Sequence, residues 1–270
     1  MDVAMYLMTL PLWVSGLVLV GGTTVLSAFG PILVRRYVAL ERLSTNNEVA
    51  GFKFQTLGTI YAVLLAFAVI IVWEKFHDAE TAVAQEAGAV TALYRLSGSL
   101  EPDERAKVQD EMTHYLRVAI ADDWQAMARG QGSRDVTRAL SGIYEAALAY
   151  EPANSRGETI LGEMLDQLDQ VTQARRARLS LAAGIVPGLV WLVLFVGAVL
   201  MIVFTFFFGT VNLRAQVWMT AMLTFVTFLS LLIVMALDHP FAGDIQVTPA
   251  ALERVLAEFG PGAIPHPGAQ

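Results

Sequence analysis

The chain contains no cysteine among its 270 residues. That excludes disulfides, thiol nucleophiles and thiolate metal sites, and it removes any sign of redox compartment. Charge is scarce as well. Charged side chains make up 16% of the chain and hydrophobic ones 55%, against about 25% and roughly 45–50% in average globular proteins. The deficit is local, because residues 3–34, 54–73, 179–213 and 215–237 carry no Asp, Glu, Lys or Arg. Each run meets the roughly 20 apolar residues that cross about 30 Å of hydrocarbon as a helix. These runs identify an integral membrane protein with four spans, and they exclude a soluble enzyme or a secreted disulfide scaffold. Positive charge is the scarcer sign: 18 Lys and Arg face 25 Asp and Glu, a net charge of −7. Phosphate backbones would be repelled, and no soluble segment interleaves basic residues with aromatics, so nucleic acid is not an expected partner. No P-loop, catalytic triad, zinc signature or potassium-filter motif occurs. Neither an enzyme nor a cofactor is expected.

The first span, near residues 12–34, is not a cleavable signal, since Met1–Leu10 holds only Asp2 and the apolar run exceeds an h-region. The second covers about residues 56–73. The third begins near Pro187, where proline suits a first helical turn, and the fourth covers 217–237. Trp13, Trp73, Trp191 and Trp218 fall at span ends, where an amphipathic ring favours the headgroup layer. Four spans put the N-terminus, residues 74–178 and the C-terminus on one side, with short loops 35–53 and 209–216 on the other. Those loops carry Arg35, Arg36, Arg42, Lys53 and Arg214, whereas the N-terminal segment has no Lys or Arg. Positive short loops stay in the cytoplasm, which places the large segment outside; Arg175, Arg176 and Arg178 beside the third span argue the other way.

The chain divides on this reading into residues 1–73 (two spans), 74–178 (an extramembrane helical bundle), 179–237 (two spans) and 238–270 (a tail). An apolar stripe at alternating spacings of four and three runs from Leu65, Val69 and Val72 through Phe76, Ala79 and Val83 to Glu86, Val90, Leu93 and Ser97. It predicts one unbroken helix of about 40 residues leaving the membrane. Further stripes are Val108–Met112–Tyr115–Ala119–Ala126, Val136–Leu140–Ile143–Ala147 and Leu161–Met164–Leu168–Val171. The fold class is thus an all-α membrane protein with four transmembrane helices. Extensions of the second and third spans plus two further helices form the bundle. In the tail, Thr248-Pro249 opens a short amphipathic helix carrying Leu252, Val255, Leu256 and Phe259, and residues 261–270 read as a loose end.

Three sets of residues are candidates for function. Gly58, Tyr61, Leu65, Val69, Val72 and Phe76 share one stripe of the second span and are candidate pore-lining residues, with an apolar ring gating by dewetting. The same stripe could instead pack against neighbouring spans. Thr220, Thr224, Thr227 and Ser230 form a polar face on the fourth span, suited to helix packing or to a water path. Glu86 falls on the bundle stripe at the height of Glu111 and His114, a possible pH-sensitive cluster. The motifs Glu74–His77 and Glu111–His114 have the Glu-x-x-His spacing of di-metal bundles. On antiparallel helices they lie roughly 13 Å apart, which rules out one shared metal. No acidic, basic or histidine side chain lies at mid-depth in a span, against the habit of proton-coupled transporters.

The run from Asn47 to Phe67 resembles the second-span signature of the bestrophin-like family of membrane proteins. So do Val72-Trp73-Glu74, Leu93-Tyr94-Arg95-Leu96, Arg175-Arg176-Ala177-Arg178 and Asp238-His239-Pro240-Phe241-Ala242-Gly243. Lys53 and His239 depart from the family pattern. The resemblance implies a multi-pass protein of the bacterial cytoplasmic (inner) membrane. It also implies distant kinship to bestrophins, which are homo-oligomeric anion channels with four spans per subunit and pores lined by the second. The expected function is then a homo-oligomeric ion channel, a pentamer by analogy, with the bilayer, further copies of itself and inorganic ions as partners. Selectivity stays open: the analogy implies anions, while residues 74–178 carry 18 acidic against 12 basic side chains, which would enrich cations. The rival function is a membrane-anchored structural or sensory protein whose helical domain binds a partner.

Overall fold

A computed structural model describes residues 11–259, which are mostly helical with no strand among them. Residues 1–10 and the loose end expected over 261–270 lie outside the described residues. Among the described residues, four helices are long and apolar enough to cross a membrane: α1 (Leu12–Tyr37), α3 (Asn47–Ser97), α7 (Gly188–Phe206) and α8 (Leu213–Leu237). Between the first two lies a short helix, α2 (Leu40–Ser44). The others are α4 (102–127), α5 (Arg134–Leu148), α6 (Ser155–Ala182) and α9 (Ala250–Glu258).

The chain divides into two compact units. One holds residues 11–74, 185–238 and 243–245, and therefore the four apolar helices up to Glu74. Here α8 packs chiefly along α1, and α7 lies against both. The helix α1 is wound as a π-helix over Leu17–Gly22 and carries Pro31 in its interior. The connection from α7 to α8 is pinned by side chains: the Asn47 amide donates to the Gly209 carbonyl at 2.6 Å and accepts from its N–H at 3.0 Å. Arg35 donates to the Thr210 carbonyl at 2.5 Å, and buried Gln216 donates to that of Phe208 at 2.7 Å.

The second unit holds residues 75–184 with 239–242 and the tail. Its core draws Ala79, Val83, Val90 and Leu93 from α3, and Val108, Met112 and Tyr115 from α4. It also takes Ile143 from α5, Leu168 from α6, and Leu252 with Val255 from α9. Those are the positions of the apolar stripes, as expected when a 3.5-residue repeat sets the buried face. Phe259 stacks on Tyr94 with ring centroids 3.8 Å apart, so the tail helix joins this core.

The helix α3 is continuous for 51 residues, about 76 Å at 1.5 Å per residue, and begins at Asn47, ahead of the apolar run. The matching expectation for the third span needs correction, because α6 ends at Ala182 instead of running into α7. Gly184 takes φ +97°, a conformation that glycine tolerates and other residues resist. Pro187 has no N–H to donate and sits extended at ψ 142° as the N-cap of α7. The freed amides of Ile185 and Val186 donate to the Asp238 carboxylate at 3.1 and 2.7 Å, and Trp191 adds its indole N–H at 3.3 Å. The break is built into the chain and capped.

Candidate functional site

Helix α3 has two unlike faces in the membrane. The stripe that sequence assigned to a pore turns inward. Tyr61 is 7% exposed and Val72 fully buried. The Tyr61 hydroxyl donates to the Leu194 carbonyl on α7 at 3.1 Å. Its ring lies so close to Gly197 that a Cβ there would sit 2.7 Å away. A Cβ on Gly58 would lie 3.2 Å from the Met201 methyl. Leu65 and Val69 are half-buried on the same side, and Phe76 packs partly against the bundle core. Of the candidate pore-lining residues, Tyr61 and Val72 are buried within the chain, while Gly58, Leu65, Val69 and Phe76 are half-buried on the same packed side.

The opposite face is free. Phe52, Thr56, Thr59, Val63, Phe67 and Ile70 are exposed along it, Phe67 and Ile70 by 60% and 58%. At about 100° per residue, Thr56, Val63, Phe67 and Glu74 fall nearly in line. Phe52, Gln55, Thr56, Thr59 and Ile60 enclose a shallow depression of about 340 Å³. The Thr56 and Thr59 hydroxyls bond back to the Phe52 and Gln55 carbonyls at 3.1 and 2.9 Å. From Thr59 to Glu74 the free face is apolar for about 22 Å, and then exposed Glu74, His77 and Thr81 follow. His77 Nδ1 lies 3.4 Å from Glu80.

The polar face of α8 is a packing face. Thr220, Thr224 and Thr227 are buried, and Ser230 is half-buried. Thr224 donates to the Thr220 carbonyl at 2.8 Å, Thr220 Oγ1 meets Thr205 Oγ1 of α7 at 3.2 Å, and Ser230 bonds back to Val226. Of these hydroxyls, Thr220 links α8 to α7, while Thr224 and Ser230 are satisfied within their own helix.

Glu86 lies fully buried on α3, but not with the partners its height suggested. Tyr115 Oη donates to it at 2.6 Å, and Arg178 of α6 donates through Nε at 2.8 Å and an Nη at 3.0 Å. Arg178 also reaches Asp123 at 3.2 Å, and its guanidinium lies over the Trp124 ring, 4.6 Å from the centroid. Arg175 holds Asp123 through two bonds of 2.8 and 3.2 Å, and Asp123 accepts the Ser133 N–H at 2.8 Å. Two carboxylates and two guanidiniums thus form a closed, neutral network in the core. Burial, with the neighbouring Glu86 charge second, holds the Tyr115 hydroxyl well above the ordinary tyrosine pKa. His114 is exposed and Glu111 half-buried, and Tyr115 is the side chain of that turn that faces inward and bonds Glu86. The side chains bonded to Glu86 are thus Tyr115 and Arg178, linked onward to Asp123 and Arg175, and not Glu111 or His114. The missed residues had a signal. Extending the α6 stripe Leu161, Met164, Leu168, Val171 by four and three lands on Arg175 and Arg178. Asp123 follows Ala119 by four on α4, in a π-helical turn over Ala119–Asp123.

A model of the bestrophin-like domain matches residues 21–252. The chain belongs to the bestrophin-like family. Its fold is that of the bacterial bestrophin homologue from Klebsiella pneumoniae. One variant of that protein superimposes with a TM-score of 0.72 at 17% identity, over 87% of this chain and 97% of the other. A second variant gives 0.70 at 14% identity, over 87% and 96%. A solved structure described as a membrane protein gives 0.71 at 15%, over 87% and 95%. No curated protein sequence matches the chain. Known members of the bestrophin-like family and fold are ion channels.

Proposed function

We propose that this bestrophin-like protein is a homo-oligomeric ion channel of the bacterial inner membrane, with the free face of α3 turned toward the axis. The observation that carries the reading is the order of residues on that face. Polar Gln55, Thr56 and Thr59 come first, then an apolar stretch through Val63, Phe67 and Ile70, then the Glu74 carboxylate, all exposed in the subunit. Four spans around one core leave no water path of their own, so several copies must supply the wall. Repeated about an axis, Phe67 and Ile70 make apolar rings that close by dewetting, and Glu74 makes a ring of carboxylates that favours cations. The acidic excess of residues 74–178 acts in the same direction. The positive short loops support a bundle outside the cytoplasm.

Flux from liposomes holding the purified protein tests this. Ile70→Ser should raise basal cation flux several-fold and leave melting unchanged. Val72→Ser, on the buried face, should lower the melting temperature and leave flux per folded protein as it was. Sealed liposomes with no flux from either protein would transfer support to a membrane-anchored scaffold.

A further inference from the structure

We infer that the end of the spans bearing the short loops holds one anionic phospholipid, its acyl chain in a cleft between α3, α7 and α8. The cleft encloses about 430 Å³ and is walled by Gly51, Phe54, Phe208, Met219, Thr220 and Leu223, within the size range of small-molecule sites. Its polar lining atoms are already engaged. Gln216 donates to the Phe208 carbonyl at 2.7 Å, Thr210 donates to Gln216 Oε1 at 3.3 Å, and Thr220 meets Thr205. What remains for a ligand is apolar surface, with the Phe54 and Phe208 rings packed edge to face at 5.7 Å. Hydrocarbon is the chemistry that fits.

Charge around the cleft selects the headgroup. Arg35 donates to the carbonyl of Thr210, a lining residue. Lys53 precedes the lining Phe54 and is exposed, as are Arg36 in the last turn of α1 and Arg214 in the first turn of α8. None of the four pairs with a carboxylate within 4 Å among the described residues, although Glu41 and Glu48 belong to the same short loop. Unpaired basic residues flanking an apolar cleft between spans match an anionic lipid: phosphate on the cations, chain in the cleft. A zwitterionic lipid would gain the second contact and little of the first.

The site does not depend on ion conduction, so it is tested by binding to the full-length protein in detergent. Phosphatidylglycerol, phosphatidylcholine and inorganic phosphate are titrated separately, with bound lipid counted by native mass spectrometry. Phosphatidylglycerol should be retained at one per subunit and at least tenfold more tightly than phosphatidylcholine, with no protection by phosphate alone. Gly51→Leu fills the cleft, since a Cβ at Gly51 meets only the Phe208 ring, at 4.0 Å. It should abolish retention while the lipid-free protein melts no lower than wild type. Arg36→Gln with Arg214→Gln should weaken phosphatidylglycerol binding roughly tenfold and leave phosphatidylcholine unaffected. Equal retention of both lipids, wild-type retention by Gly51→Leu, or equal protection by inorganic phosphate would each overturn the inference.

Discussion

Replacing Arg178 with methionine is the most exacting test of how the bundle is held. The side chain is completely buried and makes three hydrogen bonds to carboxylates, two to Glu86 and one to Asp123. Methionine fills similar volume and packs against Trp124 and Met127, so the cavity contribution is small. The cost is electrostatic. Asp123 keeps Arg175 and the Ser133 amide, but Glu86 is left with the Tyr115 hydroxyl as its one donor. Removing one partner of a buried pair costs about 3–5 kcal/mol. At about 2–4 °C per kcal/mol for a chain this long, the melting temperature should fall by roughly 10 °C. Glu86→Gln alone should cost less, because Arg178 still holds Asp123.

The double variant, Glu86→Gln with Arg178→Met, restores neutrality and leaves the Asp123–Arg175 pair intact. It should be more stable than the sum of the single effects by about 3 kcal/mol, the coupling expected for residues in one network. Thermal unfolding in mild detergent, followed by circular dichroism, measures all three proteins, and amide exchange over residues 75–184 locates the loss. An Arg178→Met shift below about 2 °C, or strictly additive effects, would refute the claim that these charges are coupled in the core. Arg178→Lys should fail almost as badly as methionine, because an ammonium cannot serve Glu86 in a fork and Asp123 as well.

Tyr115 gives a pH signature. Its pKa is raised in the fold, so the unfolded chain loses the phenolic proton first; stability is intact below about pH 10 and falls above it by about 1.4 kcal/mol per unit. Tyr115→Phe should flatten that slope, and phenolate absorbance should count one tyrosine that ionises only on unfolding; an unchanged slope would contradict the burial. Gly197→Val should destabilise the membrane unit by displacing the Tyr61 ring, and Tyr61→Ala should partly rescue it, as read from melting of the single and double variants. A single cysteine at Gln131 should react with an impermeant maleimide in intact cells and one at Ser44 should not; the reverse pattern would put the bundle in the cytoplasm. No native cysteine competes.

The longer helices were legible because each carries a long apolar repeat or a charge-free run, whereas the five-residue α2, with Glu41 and Arg42 in it, carries neither. The junctions were less so. The stop after Ala182 depends on Gly184 and Pro187, visible in sequence, but also on Asp238, which reaches back 52 residues to accept the Val186 amide. No local pattern announces such a cap. The buried network was half legible: Glu86 stood on its stripe as an anomaly, yet the height rule for antiparallel helices selected Glu111 and His114 over Tyr115. Proximity along two helices does not say which way each side chain turns, and α4 turns Met112 and Tyr115 inward. Arg175 and Arg178 were read as membrane-flanking charge, although Arg176 alone of that run is exposed.

Which face of α3 packs has the same physical root. A span apolar on all sides offers no amphipathic contrast, so a repeat of four and three fits several faces equally. What separates the faces is close packing. Tyr61 can bury its ring because Gly197 leaves room for it, and a buried phenol needs an acceptor, here the Leu194 carbonyl. Thr56 and Thr59 satisfy their hydroxyls within their own helix and need no neighbour, so they can stand on a face that meets lipid, water or another copy. Glu74 limits the choice further. It is exposed one turn beyond Ile70, where hydrocarbon would penalise its charge, and the free face leads to it while the buried face leads to Phe76 and the bundle core. A pore between copies would therefore run along Val63, Phe67 and Ile70 to Glu74, with Tyr61 and Val72 as its supporting wall.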